Sequence, residues 1–174
     1  VSNYVTDSRG GNISFSYPID ETRSISLALG VDQTDIVTGT STSKLVDDFV
    51  KEFGNSISSY TATIAWNYNT LNRGVFADKG ASQRLGLDVA IPGSDVDYLK
   101  LSYSGQLYIP LSEDYSLRLR TELGYGYQMP FYKNFFAGGY GSVRGYRDNR
   151  LGPRSPSIAY SNDPDPEYVG GNIL

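Results

Sequence analysis

Leu117-Arg118-Leu119-Arg120-Thr121-Glu122-Leu123-Gly124-Tyr125-Gly126-Tyr127 is the stretch on which the fold turns. Leu117, Leu119, Leu123, Tyr125 and Tyr127 alternate with Arg118, Arg120, Glu122, Gly124 and Gly126. Successive side chains of a strand point to opposite faces, so a period of two sorts this run into one apolar and one polar face. Upstream the pattern recurs five times. Leu99, Leu101, Tyr103, Leu107 and Ile109 oppose Lys100, Ser102, Ser104 and Gln106, and Leu85, Leu87, Val89 and Ile91 oppose Arg84, Gly86, Asp88 and Ala90. Tyr60, Ala62, Ile64, Trp66 and Tyr68 face away from Thr61, Thr63, Ala65 and Asn67. Ile25, Leu27, Leu29 and Val31 oppose Ser24, Ser26, Ala28 and Gly30, while Ile13, Phe15, Tyr17 and Ile19 oppose Asn12, Ser14 and Ser16. The expected fold is all-β, an antiparallel meander with strands over about 11–19, 23–33, 57–69, 82–92, 97–110 and 115–128.

The connections differ at the two ends of these strands. Pro18-Ile19-Asp20-Glu21-Thr22 and Pro110-Leu111-Ser112-Glu113-Asp114 are tight turns, and Leu71 to Gly80 carries the turn signals Asn72-Arg73-Gly74 and Lys79-Gly80. At the other end Asp32 to Ser56 is long, Met129 to Gly170 is longer, and only Pro92-Gly93-Ser94-Asp95 is short. Short turns on one rim and long loops on the other is the asymmetry of transmembrane β-barrels. Within the first long loop, Leu45, Phe49 and Phe53 recur at i, i+4 and i+8, which predicts a short amphipathic helix over Lys44 to Phe53 packed on the rim.

A soluble sandwich shares the alternation, so three further features decide for a membrane barrel. Runs of about nine to twelve residues fit a tilted spanning strand better than a soluble one. Tyr17, Trp66, Tyr68, Tyr125 and Tyr127 gather toward strand ends, where amphipathic rings meet the lipid–water interface. The polar face mixes both charge signs with Ser and Gly, as a wet lumen would, where a soluble sheet would carry more Lys and Glu. Composition narrows function further. The 174 residues contain no His and no Cys, which excludes disulfides, His or Cys metal clusters and His-based triads within this stretch. A net charge of -4 without a basic block excludes a nucleic-acid footprint. No catalytic residue, cofactor or metal is expected. Val1 lacks an initiator Met and Gly170 to Leu174 reads as the start of another strand, so the chain is expected to be a piece of a longer protein. Its open edges are then expected either to close into a small barrel or to pair with a second copy.

After the sixth run, Phe131-Tyr132-Lys133-Asn134-Phe135-Phe136-Ala137-Gly138-Gly139 leads into Ser142-Val143-Arg144-Gly145-Tyr146, then Asn149, Gly152 and Pro153. This resembles the long sixth extracellular loop of the BamA family of outer-membrane protein assembly factors, with its Val-Arg-Gly-Phe/Tyr signature. Phe15-Ser16-Tyr17-Pro18-Ile19, Trp66-Asn67-Tyr68-Asn69 and Ala90-Ile91-Pro92-Gly93-Ser94 are similar to the same family, so the resemblance covers nearly the whole chain. It implies a partial barrel domain, the sixth through eleventh strands of a sixteen-stranded barrel, in the bacterial outer membrane. It also implies a non-enzymatic role in folding and inserting outer-membrane proteins. The implied partners are the lipid bilayer and, for the intact protein, nascent outer-membrane proteins and accessory lipoproteins. The family's POTRA repeats and its first and last barrel strands have no counterpart here, so the piece by itself is expected to be structural and without insertase activity.

Within the resemblance, Val143, Arg144, Gly145 and Tyr146 form the loop motif, and Arg144 is expected to pair with carboxylates on the inner wall, with Tyr146 standing where Phe is common. The family partners lie beyond Leu174, leaving Arg144 unpaired in this chain or drawn to Asp88 or Glu122; the bland alternative is a solvated arginine on a mobile loop. Arg84, Asp88, Lys100, Arg118, Arg120 and Glu122 are expected to face the lumen, supporting the loop or solvating the interior. Asp163, Asp165 and Glu167 are interleaved with Pro164 and Pro166, which fits an extended surface loop better than a calcium site. A porin or transporter is the competing function, distinguished by steady ion conduction; a soluble β-sandwich adhesin would be distinguished by solubility without detergent.

Overall fold

The computed structural model describes residues 4–39, 42–112, 114–158 and 166–174. Six strands form one sheet in sequence order: β1 (Tyr4–Pro18), β2 (Arg23–Thr38), β3 (Ser56–Asn69), β4 (Gly80–Ala90), β5 (Leu99–Pro110) and β6 (Ser116–Tyr127). Every pairing is antiparallel, the meander that the alternation predicts. One helix, α1 (Lys44–Phe53), lies between β2 and β3. A 3-10 turn (Phe131–Lys133) and a two-stranded ribbon of β7 (Arg154–Ser155) and β8 (Glu167–Tyr168) lie in the segment after β6.

The register keeps like beside like. Phe15, Leu27, Ile64, Leu87, Leu101 and Tyr125 form one continuous cross-strand row. Tyr17, Ile25, Trp66, Leu85, Tyr103 and Leu123 form the next. A one-residue slip anywhere would send half of these side chains to the polar face, so the pattern fixes the pairing. Most of this face is uncovered; Phe15 is 72% exposed and Tyr17 73%. Leaving a large apolar side chain in water forgoes roughly 2 kcal/mol, and about ten of them would outweigh the whole ~5–15 kcal/mol stability of a domain. A face of this kind needs an apolar solvent or partner.

β1 and β2 run past their alternating stretches, up to the Tyr4–Thr38 pair, because backbone pairing continues where the side chains cease to alternate. There the outer face turns polar: Arg9 pairs with Gln33, Asp7 with Asp35, and the Gln33 amide donates to Ser56 at 3.0 Å. The apolar stripe therefore has a definite upper edge on these strands. At the opposite end, the Asp20 carboxylate accepts from the Thr22 hydroxyl at 2.8 Å and from the Thr22 and Arg23 amides at 2.7 and 2.8 Å, closing the β1–β2 turn. Those bonds, the Thr22 hydroxyl foremost, hold the Asp20 carboxyl below its usual value.

The packed core sits at the long-loop end, on the polar face of the sheet. Ile36, Ile57, Ala90 and Tyr98 point inward there and meet Val46 of α1, Val96 and Phe131. Phe131 takes edge-to-face contacts from Tyr4 at 5.2 Å and Phe49 at 5.3 Å. The α1 stripe differs from the sequence expectation. Val46 is fully buried, whereas Leu45 and Phe53 stay 40% and 39% exposed. Helical periodicity marks which side is apolar, and the neighbouring loops decide which part of that side is covered. Among the described residues β1 does not pair with β6, so the sheet does not close on itself. The free edge of β6 is instead met by the C-terminal residues, with Gly124 and Leu174 exchanging amide–carbonyl bonds at 3.0 and 2.9 Å and a Tyr125–Ile173 bridge between them.

Candidate functional site

The polar face and the segment that folds over it form the candidate site. Register places all six charged candidates on this face. Asp88 lies beside Thr63 and Lys100, Arg84 beside Asn67 and Ser104, and Glu122 across from Ser104. Arg120 is opposite Gln106 and Arg118 opposite Tyr108. Short side chains in between (Ser16, Ser26, Ala65, Gly86, Ser102, Gly124) keep the surface low enough for a covering loop.

Several of these groups are satisfied locally, across neighbouring strands or along one strand. The Thr63 hydroxyl donates to Asp88 at 2.6 Å, and the Arg84 guanidinium donates to the Asn67 carbonyl oxygen at 2.6 Å. Asn67 passes the chain on, its amide reaching the Ser26 hydroxyl at 3.3 Å. Arg120 and Glu122, two apart on β6, form a close ion pair. Arg118 makes no ion pair among the described residues. Pairing along a wall holds charges in place without requiring any single one of them to hold the loop.

The loop is held at its stem. Gly124 and Gly126 are buried on the inner side of β6, and a Cβ at Gly124 would run into the Phe135 ring. One at Gly126 would come within 2.7 Å of the Met129 methyl. Lys100 donates to the Lys133 carbonyl at 3.0 Å and sits 4.5 Å from the centroid of the Phe135 ring, a cation over an aromatic face. Lys133 itself reaches across to Asp32 of β2 at 3.8 Å. Phe135 and Gly171 exchange backbone bonds at 2.8 and 3.0 Å, and the Asn134 side chain donates to the Val169 carbonyl at 2.8 Å. Further along, the Lys44 amide donates to the Pro156 carbonyl at 2.8 Å and the Leu45 amide to the Ser155 hydroxyl at 3.2 Å, tying the loop to the start of α1.

The motif is at the loop's exposed end. Val143, Arg144, Gly145 and Tyr146 are all exposed. The Arg144 guanidinium lies 4.6 Å from the centroid of the Tyr140 ring and bonds to neither Asp88 nor Glu122 among the described residues. Gly139, at φ +93, donates its amide to the Tyr146 carbonyl at 3.1 Å, and Gly138, at φ +109, has the Arg147 carbonyl 2.6 Å from where a Cβ would stand. Both need the left-handed backbone that glycine tolerates. Val143 lines a cavity of about 290 Å³ with Arg120, Glu122, Ala137, Gly141, Ser142 and Leu174, so the motif comes down beside the β6 ion pair. Asp163 and Asp165 lie outside the described residues, as does the Glu167 side chain.

Sequence reasoning missed the stem, namely Phe135 on Gly124, Met129 on Gly126 and Lys100 on the Lys133 carbonyl. A signal was available. Two glycines two apart on the polar side of a strand mark a place where another part of the chain comes close.

The sequence profile of the Omp85 superfamily domain matches residues 1–174. The outer membrane protein assembly factor BamA of Neisseria meningitidis serogroup B is 29% identical over 168 residues, covering 88% of this chain and 21% of that protein. The crystal structure of BamA from Haemophilus ducreyi lacking POTRA domains 1-3 superposes with a TM-score of 0.84 at 27% identity, over 98% of this chain and 36% of that one. The chain thus spans about a fifth of the curated relative's length and just over a third of the solved one.

Proposed function

Because the chain belongs to the Omp85 superfamily, we propose that it is a section of barrel wall, with its covering loop, from a bacterial outer-membrane assembly factor that folds and inserts other outer-membrane proteins. One observation carries the reading: an apolar face unbroken across six strands backs onto a polar face over which the segment after β6 is folded. Lipid supplies the solvent that the first face requires, and the second becomes a wet lumen. The role is mechanical, without chemistry on a substrate. Nascent outer-membrane proteins and accessory lipoproteins are partners of the intact protein, and any open strand edge of this section is a site for pairing with another strand.

Arg84, Asp88, Lys100, Arg118, Arg120 and Glu122 line the lumen in this reading. Val143, Arg144, Gly145 and Tyr146 add a second contact of the loop with the wall beyond its stem, and Arg144 finds its carboxylate on strands outside these residues. Support comes from Val143 lying beside the Arg120–Glu122 pair, and from a guanidinium that has a ring but no carboxylate partner among the described residues.

The test uses the intact protein in liposomes and follows the protease-protected folding of a denatured test barrel. Acceleration over empty liposomes is expected, and its absence overturns the assembly reading. Labels at Leu87 and Leu101 report separately on the membrane. Quenching by brominated lipid tails is expected, and a water-accessible signal at both positions would overturn the barrel reading itself.

A further inference from the structure

α1 uses only part of its apolar surface on the core. Val46, Val50 and Phe49 pack on the core, while Leu45 and Phe53, with the outer side of Phe49 between them, line an open cleft of about 790 Å³. The cleft is bounded by the helix, the β4–β5 connection, the start of the loop after β6 and Ser155–Pro156 further along it. Its floor is apolar, with Val96, Met129 and Phe131 beside the helix residues. Its walls are acidic on both sides: Asp48 and Glu52 from α1, Asp95 and Asp97 from the β4–β5 connection. Asp95 is engaged, accepting the Ser58 amide at 2.6 Å. Asp48, Glu52 and Asp97 are exposed and form no ion pair among the described residues, against a single lining cation, Lys44.

We propose that this cleft receives a cationic amphipathic peptide segment, its apolar side chains on the Leu45–Phe53–Met129 floor and its ammonium or guanidinium groups among Asp48, Glu52 and Asp97. The size fits. A cavity in this range seats several side chains and leaves the backbone at the mouth. The charge chooses the occupant. An anionic headgroup would be repelled from both walls, and a second copy of this chain, at net -4, carries the wrong sign. Each exposed ion pair contributes little alone, so recognition would need the floor and the three carboxylates together and would weaken with salt. The proposal goes beyond the assembly reading, since it requires only this fold with its loop end in water, and it can fail while insertion activity stands.

The experiment uses the intact protein in phosphatidylcholine nanodiscs and the fluorescence anisotropy of a dye-labelled peptide of alternating Leu and Lys. Empty discs and a peptide with Glu in place of Lys are the controls. Saturable binding of the Lys peptide alone is expected, weaker by roughly tenfold at high salt. A similar loss, roughly tenfold, is expected in the triple variant Asp48→Asn, Glu52→Gln, Asp97→Asn, whose side chains keep their shape without charge. Phe53→Ser tests the floor separately, with the heat-resistant mobility of the folded barrel as a check on structure. Equal binding of both peptides, unchanged binding in the triple variant, or no saturable signal above empty discs would overturn the proposal. The last result is also what a loop from elsewhere in the barrel, already seated in the cleft, would produce.

Discussion

The two faces of the sheet meet different kinds of neighbour. On the apolar face Phe15, Leu27, Ile64 and Leu101 stand exposed along one cross-strand row that also holds Leu87. On the polar face, at the long-loop end, Phe131 is 3% exposed and Phe135 lies where glycine alone leaves room. The first surface is matched to a fluid, so what matters there is the chemical character of a side chain. The second is matched to fixed atoms, so shape matters as much.

The sharpest way to break this comparison is at Phe131. Phe131→Ala empties the centre of the loop-end core and is expected to cost about 3–5 kcal/mol in chemical unfolding of the intact protein in lipid. Little change would mean that the core is not packed as described. Next, Leu87→Arg is expected to cost about 2–4 kcal/mol in the same assay because the charge enters hydrocarbon, whereas Ser104→Arg on the neighbouring strand, exposed on the lumen face across from Glu122, is expected to be close to neutral. Equal effects would erase the distinction between the faces. Gly124→Ala adds one methyl group against the Phe135 ring and is expected to cost about 1–3 kcal/mol, and protease cleavage within the loop should rise with it. Pairing Gly124→Ala with Phe135→Ala should recover part of the loss, since the two changes share one contact.

The smallest effect sharpens the comparison by pH. Tyr98, in the connection before β5, has its phenol pushed up from 10.0 to about 12, first by burial and then by the Asp88 and Asp32 carboxylates. A raised folded value means that the native state holds this proton more tightly than the unfolded chain. Its contribution is therefore complete below pH 10.0 and is lost as the pH rises toward about 12. Tyr98→Phe should flatten the alkaline limb of stability over that interval, and an unchanged limb would place the titration elsewhere.

Much of this was legible in the residues because a strand's period acts locally. Leu117 to Tyr127 declares two faces without knowledge of its neighbours, and Pro18 to Thr22 declares a turn through groups that bond within five residues. What was not legible depends on distant partners. Leu45, Phe49 and Phe53 form the apolar stripe that the spacing predicts, but the neighbours that cover α1 pack on Val46 and Phe49 and leave Leu45 and Phe53 exposed. Gly124 and Gly126 read as part of a lumen wall, and only the return of Met129 and Phe135 shows why side chains are absent there. The charge of Arg144 was plain; its stacking on Tyr140 depends on loop geometry that no spacing encodes.

Among the described residues each strand of the main sheet pairs only with strands next to it in the chain, the C-terminal residues on β6 aside. Growth can therefore proceed hairpin by hairpin, each new ribbon finding its template already laid down, with short closures throughout. The tie between Leu45 and Ser155 is of another order, joining residues 110 positions apart. Its closure is far longer than that of any hairpin, so it is expected to form after the intervening ribbons, and its arrival would report that the wall beneath is finished.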